Sequence, residues 1–318
     1  MKIPVLILAF NRPETTNKLF QKLKIFKPKK IYINIDGPRE KNLNDKKLCI
    51  EVEKITNDIS WDCKVFKKIN EKNKGCRSSV SEAINWFFQY ENSGIILEDD
   101  CIPSSKFFEF CERMLKKFEN NNQIKVVSGS NFHDNKKFGE GDYYFSKYAH
   151  CWGWATWKRA WLEYDDKMEN WKEFKKSKNW EELHINFYER KYWTKIFDKV
   201  IKRKIDSWAY VWLYSVWYKN GITITPNFNM INNIGFGPDA THTFKSKNIS
   251  IRQEILENSD IIKDPREIYV NRNADEIIFE THFNGKFNFW PWRIIYILKI
   301  LIKDPITFWM KLKKKLLI

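Results

Sequence analysis

Over the first hundred residues, three short apolar runs (residues 3–10, 31–35 and 95–97) and a mixed strand-like segment (63–69) alternate with three segments of helical periodicity. A continuous apolar run suits a parallel strand buried on both faces, and parallel strands need helical crossovers between them. The intervening segments carry their own signals. Asn11-Arg12-Pro13-Glu14 puts a proline at the first helical position and an acid in the first turn, and Leu19, Phe20 and Leu23 supply an apolar face. Residues 41–59 read as a second helix. Lys74-Gly75-Cys76-Arg77 opens a third, with Val80, Ala83, Ile84 and Phe87 on one side. The pattern predicts a doubly wound, mostly parallel α/β sheet.

Such a sheet collects its strand ends along one edge, where ligands of open α/β folds sit. Here that edge gathers Asn11, Arg12, Asp36, Lys74, Arg77 and the triad Glu98-Asp99-Asp100. Three adjacent carboxylates at the end of a buried strand repel one another and need a cation or a ring of donors. Mg²⁺ and Mn²⁺ take oxygen ligands and leave positions open for phosphates. The plainer reading is an acidic loop after a strand. The first turn, Phe10-Asn11-Arg12-Pro13, contains no glycine, which excludes a dinucleotide fingerprint, and a P-loop is missing too. What remains is a nucleotide held by side chains and a metal.

At 318 residues, 43% hydrophobic, the chain has room for one large domain with an appendage. A net charge of +16 points to an anionic partner, although Lys, Asn, Ile and Phe are abundant throughout. A nucleic-acid-binding protein is the rival of another class. Basic–aromatic interleaving of the RNP type is missing, and the acid triad would repel phosphates, so no nucleic acid is expected. The six cysteines form no CxxC pair and no metal-finger spacing, as expected of reduced thiols in a cytoplasmic protein. The N-terminal apolar run lacks a small-residue cleavage site and reads as a first strand. No segment has the ~18–20 apolar residues of a membrane span.

The series of motifs resembles the GT-A glycosyltransferases, and among them the N-acetylglucosaminyltransferase I family. The likeness begins with Pro4 to Pro13, Glu98-Asp99-Asp100 and Phe107-Phe108-Glu109-Phe110. It continues through Val126-Val127-Ser128-Gly129-Ser130-Asn131, Gly153-Trp154 with Trp157 and Trp161, Asp206-Ser207-Trp208, and Asn233-Ile234-Gly235-Phe236-Gly237 to Thr241-His242. It covers roughly residues 3–243, in order. The chain departs from the family in carrying Ser207 where a second acid is expected, in lacking a Golgi anchor and in its tail.

The resemblance implies a domain over residues 1–243, divided into a nucleotide-sugar half (1–131) and a Trp-rich acceptor-side half (132–243). An extension (244–289) and a basic amphipathic tail (290–318) follow. It implies that Arg12 and Asp36 contact base or ribose, with Asn11 and Arg77 beside them, that Asp99 reaches the ribose and Glu98 the donor sugar. Asp100 would be the direct ligand to Mn²⁺ or Mg²⁺, and His242 a metal or diphosphate contact. Gly153, Trp154 and Trp208 would face the acceptor. Asp206 is the candidate general base; it can equally be read as the cap of a helix starting at Ser207. The Trp-punctuated residues 163–204 read as an acceptor-side subdomain or lid, and residues 265–279 as one further strand.

The activity these expectations describe is metal-dependent, inverting sugar transfer from a nucleotide-sugar donor, a UDP-sugar with a GlcNAc-like residue, to a surface glycan or lipid-linked acceptor. A catalytically inactive glycan-binding domain is the third reading. The tail alternates Ile, Leu, Trp and Phe with Arg293, Lys299, Lys303, Lys311 and Lys313-Lys314-Lys315. It reads either as a helix packed on the domain or as an element lying on an anionic membrane surface, at the inner face of the cytoplasmic membrane.

Overall fold

The computed structural model describes residues 2–133, 136–235 and 262–303. In chain order the elements are β1 (Val5–Ala9), α1 (Pro13–Phe26), β2 (Lys30–Ile35), α2 (Leu43–Asn57), β3 (Lys64–Ile69), α3 (Gly75–Tyr90) and β4 (Ser93–Glu98). Next come β5 (Cys101–Pro103), α4 (Ser105–Lys117), β6 (Ile124–Ser128), β7 (Tyr143–Ser146), β8 (Trp154–Trp157), α5 (Lys158–Trp161), α6 (Trp171–Phe174), α7 (Lys178–Leu183) and α8 (Phe187–Ile201). The last are α9 (Trp208–Tyr218), β9 (Ile222–Pro226), β10 (Ile231–Asn233), α10 (Arg272–Thr281) and α11 (Trp292–Lys303).

Eight strands form one sheet in the order β3-β2-β1-β4-β8-β6-β9-β7. The first four are mutually parallel, in register Ile7↔Ile33 and Ile7↔Leu97. β8 runs antiparallel between β4 and β6, and β7 antiparallel to β9. The sheet is therefore mostly parallel, as the apolar runs predict.

Both faces are covered because successive residues of a strand point to opposite sides. Val5, Ile7, Ile31, Ile33, Ile95 and Leu97 pack with Leu19, Leu23 and Val52 of α1 and α2 and with α4. Leu6, Leu8, Tyr32 and Ile96 pack on the other face with Ala83, Ile84 and Phe87 of α3 and with α9. α9 is apolar nearly all round, WAYVWLYSVWY, and such a helix must be enclosed; Trp208, Val211, Trp212, Tyr214 and Trp217 are all buried.

That enclosure corrects one expectation. Trp171, Trp180 and Trp193 are buried anchors of α6, α7 and α8 against α9, so residues 163–204 form the second aromatic layer of the core and not a lid. A second correction concerns residues 265–279. They contribute one isolated bridge, Phe145↔Val270, and then α10, whose cap is Asn271 accepting from the Ala274 N–H at 3.0 Å. Ala274, Ile278 and Phe279 give it a buried helical face, and this periodicity wins over strand propensity. This segment packs on β7: buried Asp275 accepts from Ser146 Oγ at 2.5 Å and from the Lys147 N–H at 3.1 Å.

Candidate active site

β4 reaches the edge of the sheet beside β1, with Leu8 opposite Glu98. The ladder continues one step, the Asp99 N–H donating to Leu8 O at 2.9 Å, so the triad emerges beside the first turn. There Phe10 N–H donates to Asp99 Oδ2 at 3.2 Å. Arg12 grips both following carboxylates: Nη2 lies 2.5 Å from Asp99 Oδ1 and Nη1 2.5 Å from Asp100 Oδ2. Asp99 and Asp100 are buried. A buried carboxylate without a partner costs several kcal/mol, and one guanidinium stands against three acids.

The charge imbalance shows in the proton affinities. Burial, reinforced by Asp100, pushes the Glu98 carboxyl up to about 8 despite Arg12. Burial also raises Asp99, with Arg12 opposing. Arg12, which burial alone would weaken as a base, is held above its ordinary value by Asp99, Asp100 and Glu98.

The surroundings are closely built. A Cβ on Gly235 would overlap the Asp100 carboxylate and crowd Arg12, so only glycine lets the chain cross the ion pair. Cys151, on the loop entering β8, lies near enough to Glu98 and Asp100 that burial and their charge both raise its thiol. Exposed Asp206 lies just before α9, over the start of α3: its Oδ2 is 3.2 Å from the position of a Cβ on Gly75. Its charge, with that of Glu98, raises the buried Cys76 thiol beyond what burial does alone. The helix cap itself is Ser207, whose Oγ accepts from the Tyr210 N–H at 3.4 Å. Asp206 is therefore not the cap, and its carboxylate lies over the start of α3.

Other expected site residues are placed differently. The Asp36 carboxylate fastens loops, accepting from the Gly37 and Lys74 N–H groups and from the Asn70 and Asn73 amides at 3.0–3.1 Å. Asn11 Nδ2 donates to Asp45 Oδ1 at 2.8 Å, and Arg39 grips the same buried carboxylate. Arg77 is a correction. It is 2% exposed and directed away from the crevice, Nε donating to Asp166 Oδ1 at 2.7 Å and the remaining nitrogens to the Asp166 and Val200 carbonyls.

Trp154 and Trp208 are corrections too. Both are buried and stack on each other, 5.6 Å between centroids at 21°, in the layer behind the sheet. β-strand alternation turns Trp154 inward. Gly153, at φ +60°, has Ile231 and Leu97 against the place of its missing Cβ, and its carbonyl accepts from the Gly129 N–H at 2.8 Å. Its work is close packing. His242 lies outside the described residues. Sequence reasoning missed Asp45 and Asn73, which hold the loops around Asn11 and Asp36, and the mutual packing of the rings of Phe132, Trp152 and His282. No local signal marks the last three, because they meet only in the folded chain.

A hard cation that shares its coordination with phosphates needs only one or two protein carboxylates. Among the described residues no group of three or more His, Cys, Asp or Glu is arranged to cage a metal by itself. Asp100 and Glu98, oxygen donors next to each other at the crevice, fit a shared site, with Arg12 the competing cation.

No family model and no curated protein matches the chain. Solved structures that are similar to it include apo mouse xyloside xylosyltransferase 1, 9% identical over 68% of this chain and 81% of that one, TM-score 0.31. HddC from Yersinia pseudotuberculosis is 11% identical over 49% of this chain and 77% of its own, TM-score 0.30. 4-Diphosphocytidyl-2C-methyl-D-erythritol synthase from Anaerococcus prevotii is 10% identical over 56% and 78%, TM-score 0.30. Likenesses this distant carry no chemistry across, so the reading of the site rests on its own geometry.

The raised carboxyls make stability depend on pH. The folded protein holds these protons more tightly than the unfolded chain. This contribution is therefore complete below the ordinary carboxylate range and is lost as pH rises through about 8. In EDTA, the urea midpoint should fall between pH 6 and pH 8.5, and Glu98→Gln should flatten that fall. An unchanged pH slope in the variant would show that Glu98 does not hold the proton.

Proposed function

We propose that this protein is a metal-dependent glycosyltransferase of the GT-A type that uses a nucleotide-sugar, a UDP-sugar with a GlcNAc-like residue, as donor. One observation supports the reading: the acid triad is gripped by Arg12 at the C-terminal edge of a parallel sheet, and the Asp206 carboxylate lies over Gly75, in the loop region at that edge. Paired acidic groups on two sides of a crevice are what inverting transfer requires, one serving the leaving diphosphate and the other the acceptor hydroxyl. The order of motifs from Pro4 to Gly235 supports the same reading.

Asp100 and Glu98 would hold Mn²⁺ or Mg²⁺, which when bound offsets the charge developing on the departing diphosphate. Arg12, already at the triad, supplies a second positive charge for phosphate oxygens. Asp99, held by the Phe10 N–H, would reach the ribose. Asp206 accepts the acceptor hydroxyl's proton as its oxygen bonds to the anomeric carbon and the bond from that carbon to the phosphate oxygen breaks. The nucleoside diphosphate leaves with the electron pair, and the configuration inverts.

The acceptor is a surface glycan or a lipid-linked sugar, presented at an anionic membrane. The tail supports this part of the reading. No helix among the described residues is long and apolar enough to cross a membrane. α11 nevertheless exposes Ile294 at 49%, Leu298 at 50% and Ile302 at 81%, with Trp290 at 78% just before it and Arg293 among them. Apolar side chains interspersed with basic ones suit the headgroup boundary of an anionic bilayer.

Three outcomes are expected. Asp100→Asn should abolish Mn²⁺-dependent UDP binding in calorimetry while the circular dichroism spectrum stays that of the parent; unchanged affinity removes Asp100 from the site. Asp206→Asn should keep UDP-sugar binding and slow transfer by ~10²–10⁴, the usual contribution of a general base. A loss below tenfold would place the base elsewhere. The double variant Ile294→Asp, Leu298→Asp should stay in the supernatant when sedimented with vesicles containing phosphatidylglycerol, while the parent pellets. If the parent also stays in solution, α11 does not dock on membranes.

A further inference from the structure

Asp206 sits on the connection from α8 to α9, residues 202–207. The far end of that connection is fixed, because Ser207 caps α9 and Trp208 is buried against Trp154. The near end is held differently. There α8 closes with its last N–H groups folded back: Arg203 donates to Val200 O at 3.0 Å and Lys204 to Lys199 O at 2.9 Å. This closure puts Arg203 at φ +55°, a left-handed conformation for which helices normally use glycine. A side chain at such a position is strained, and it persists where the surroundings hold it. The partner here is Asp166, whose Oδ2 lies 2.8 Å from Arg203 Nη2.

Asp166 belongs to the loop after α5 and meets a second arginine with its other oxygen. Arg77 Nε donates to Asp166 Oδ1 at 2.7 Å, Nη2 donates to the Asp166 carbonyl, and Nη1 reaches Val200 O at 3.4 Å. The Val200 carbonyl thus accepts both from Arg203 N–H and from Arg77, a cation placed at the negative end of α8. Burial would raise the Asp166 carboxyl, yet Arg77 and Arg203 hold it below its ordinary value. Its loop is fastened in turn to α9, through the Asp165 N–H donating to Ser215 Oγ at 3.0 Å. Burying a guanidinium costs solvation that an apolar side chain of similar size would not. Here the buried charge is directed: its bonds join the start of α3, the loop after α5 and the end of α8. Gly75, over which the Asp206 carboxylate lies, is two residues before Arg77 on the same helix.

We propose that Arg77, Asp166 and Arg203 are positioning residues that set where the Asp206 carboxylate stands over the start of α3. One helix start carries both the point over which Asp206 lies and the guanidinium that grips the segment leading to it. A change in backbone at Arg203 would carry Asp206 with it, three residues on. Displacing a reacting group by about 1 Å can cost roughly 10²-fold in rate. That Asp206 acts as the base rests on the transferase reading; the placement of its segment does not.

The test uses the full chain and two variants with partly open side chains. Arg203→Gly removes the ion pair but suits the left-handed backbone, so the fold is kept; Asp166→Ala removes the shared carboxylate and leaves residue 203 as it is. In both, hydrogen exchange over residues 202–207 should quicken by roughly tenfold, and Arg203→Lys should restore most of the protection. The kcat for sugar transfer should fall by ~10–10²-fold in both, with donor KM and calorimetric UDP affinity unchanged. In an Asp206→Asn background the same two substitutions should cost almost nothing further, because the groups act as a unit. Unchanged exchange over residues 202–207 overturns the positioning role whether or not the protein transfers sugar; should Asp166→Ala fail to fold, Arg203→Gly alone decides. A fall in kcat that persists in full without the Asp206 carboxylate overturns it too. Faster exchange in a protein whose transfer is indifferent to Asp206→Asn leaves the positioning of the segment standing and removes Asp206 as the base instead.

Discussion

One guanidinium set against three carboxylates is the interaction on which the crevice depends. Arg12 reaches Asp99 and Asp100 at 2.5 Å each, from the turn after β1 to the end of the neighbouring β4. Without it, two buried acids would face each other unpaired, at a cost of several kcal/mol. With it, the site still carries excess negative charge, which Glu98 relieves by holding a proton more tightly. That residual charge is what a divalent cation would answer. Gly235 is required at the same point, because any side chain there would displace the ion pair.

The sheet order explains why so much chemistry meets at this place. Parallel strands β1, β2 and β4 deliver Arg12, Asp36 and the triad to one edge. The reversal at β8 brings the loop around Cys151 and Trp152 to that edge from the other half of the domain. α9 brings Asp206 in over Gly75. The aromatic layer behind the sheet, with Trp154 stacked on Trp208 and α9 enclosed by α8, gives these loops a rigid base. Rigidity matters because a displacement of 1 Å can cost orders of magnitude in rate.

The C-terminal segment belongs to this construction as well. Asp264 pairs with Lys117 and Arg113 of α4 at 2.7 and 3.2 Å, and Asp275 locks onto the start of the loop after β7. These ties fix the segment that carries His282 to the sheet, while α11 continues beyond it with Ile294, Leu298 and Ile302 exposed.

Strand and helix positions in the first hundred residues were legible in the sequence because burial on both faces demands continuous apolar runs and crossovers need amphipathic helices. Observed ends fall within a few residues of the expected ones. The meeting of Arg12 with the acid triad at one sheet edge was legible too, since charged residues at the ends of neighbouring strands have few other reasons to cluster. Tertiary structure alone decided which neighbours these groups have. Asp36 and Arg77 stand at the expected edge, yet backbone N–H groups and amides occupy the first, and Asp166 claims the second across 89 residues of chain. Trp154 and Trp208 look like ligand platforms in a string of letters; alternation along β8 and the enclosure of α9 turn both inward. Phe132, Trp152 and His282, which pack on one another, come from three separate segments. Sequence determines what each element must bury, whereas contacts between distant elements settle what remains available to a ligand.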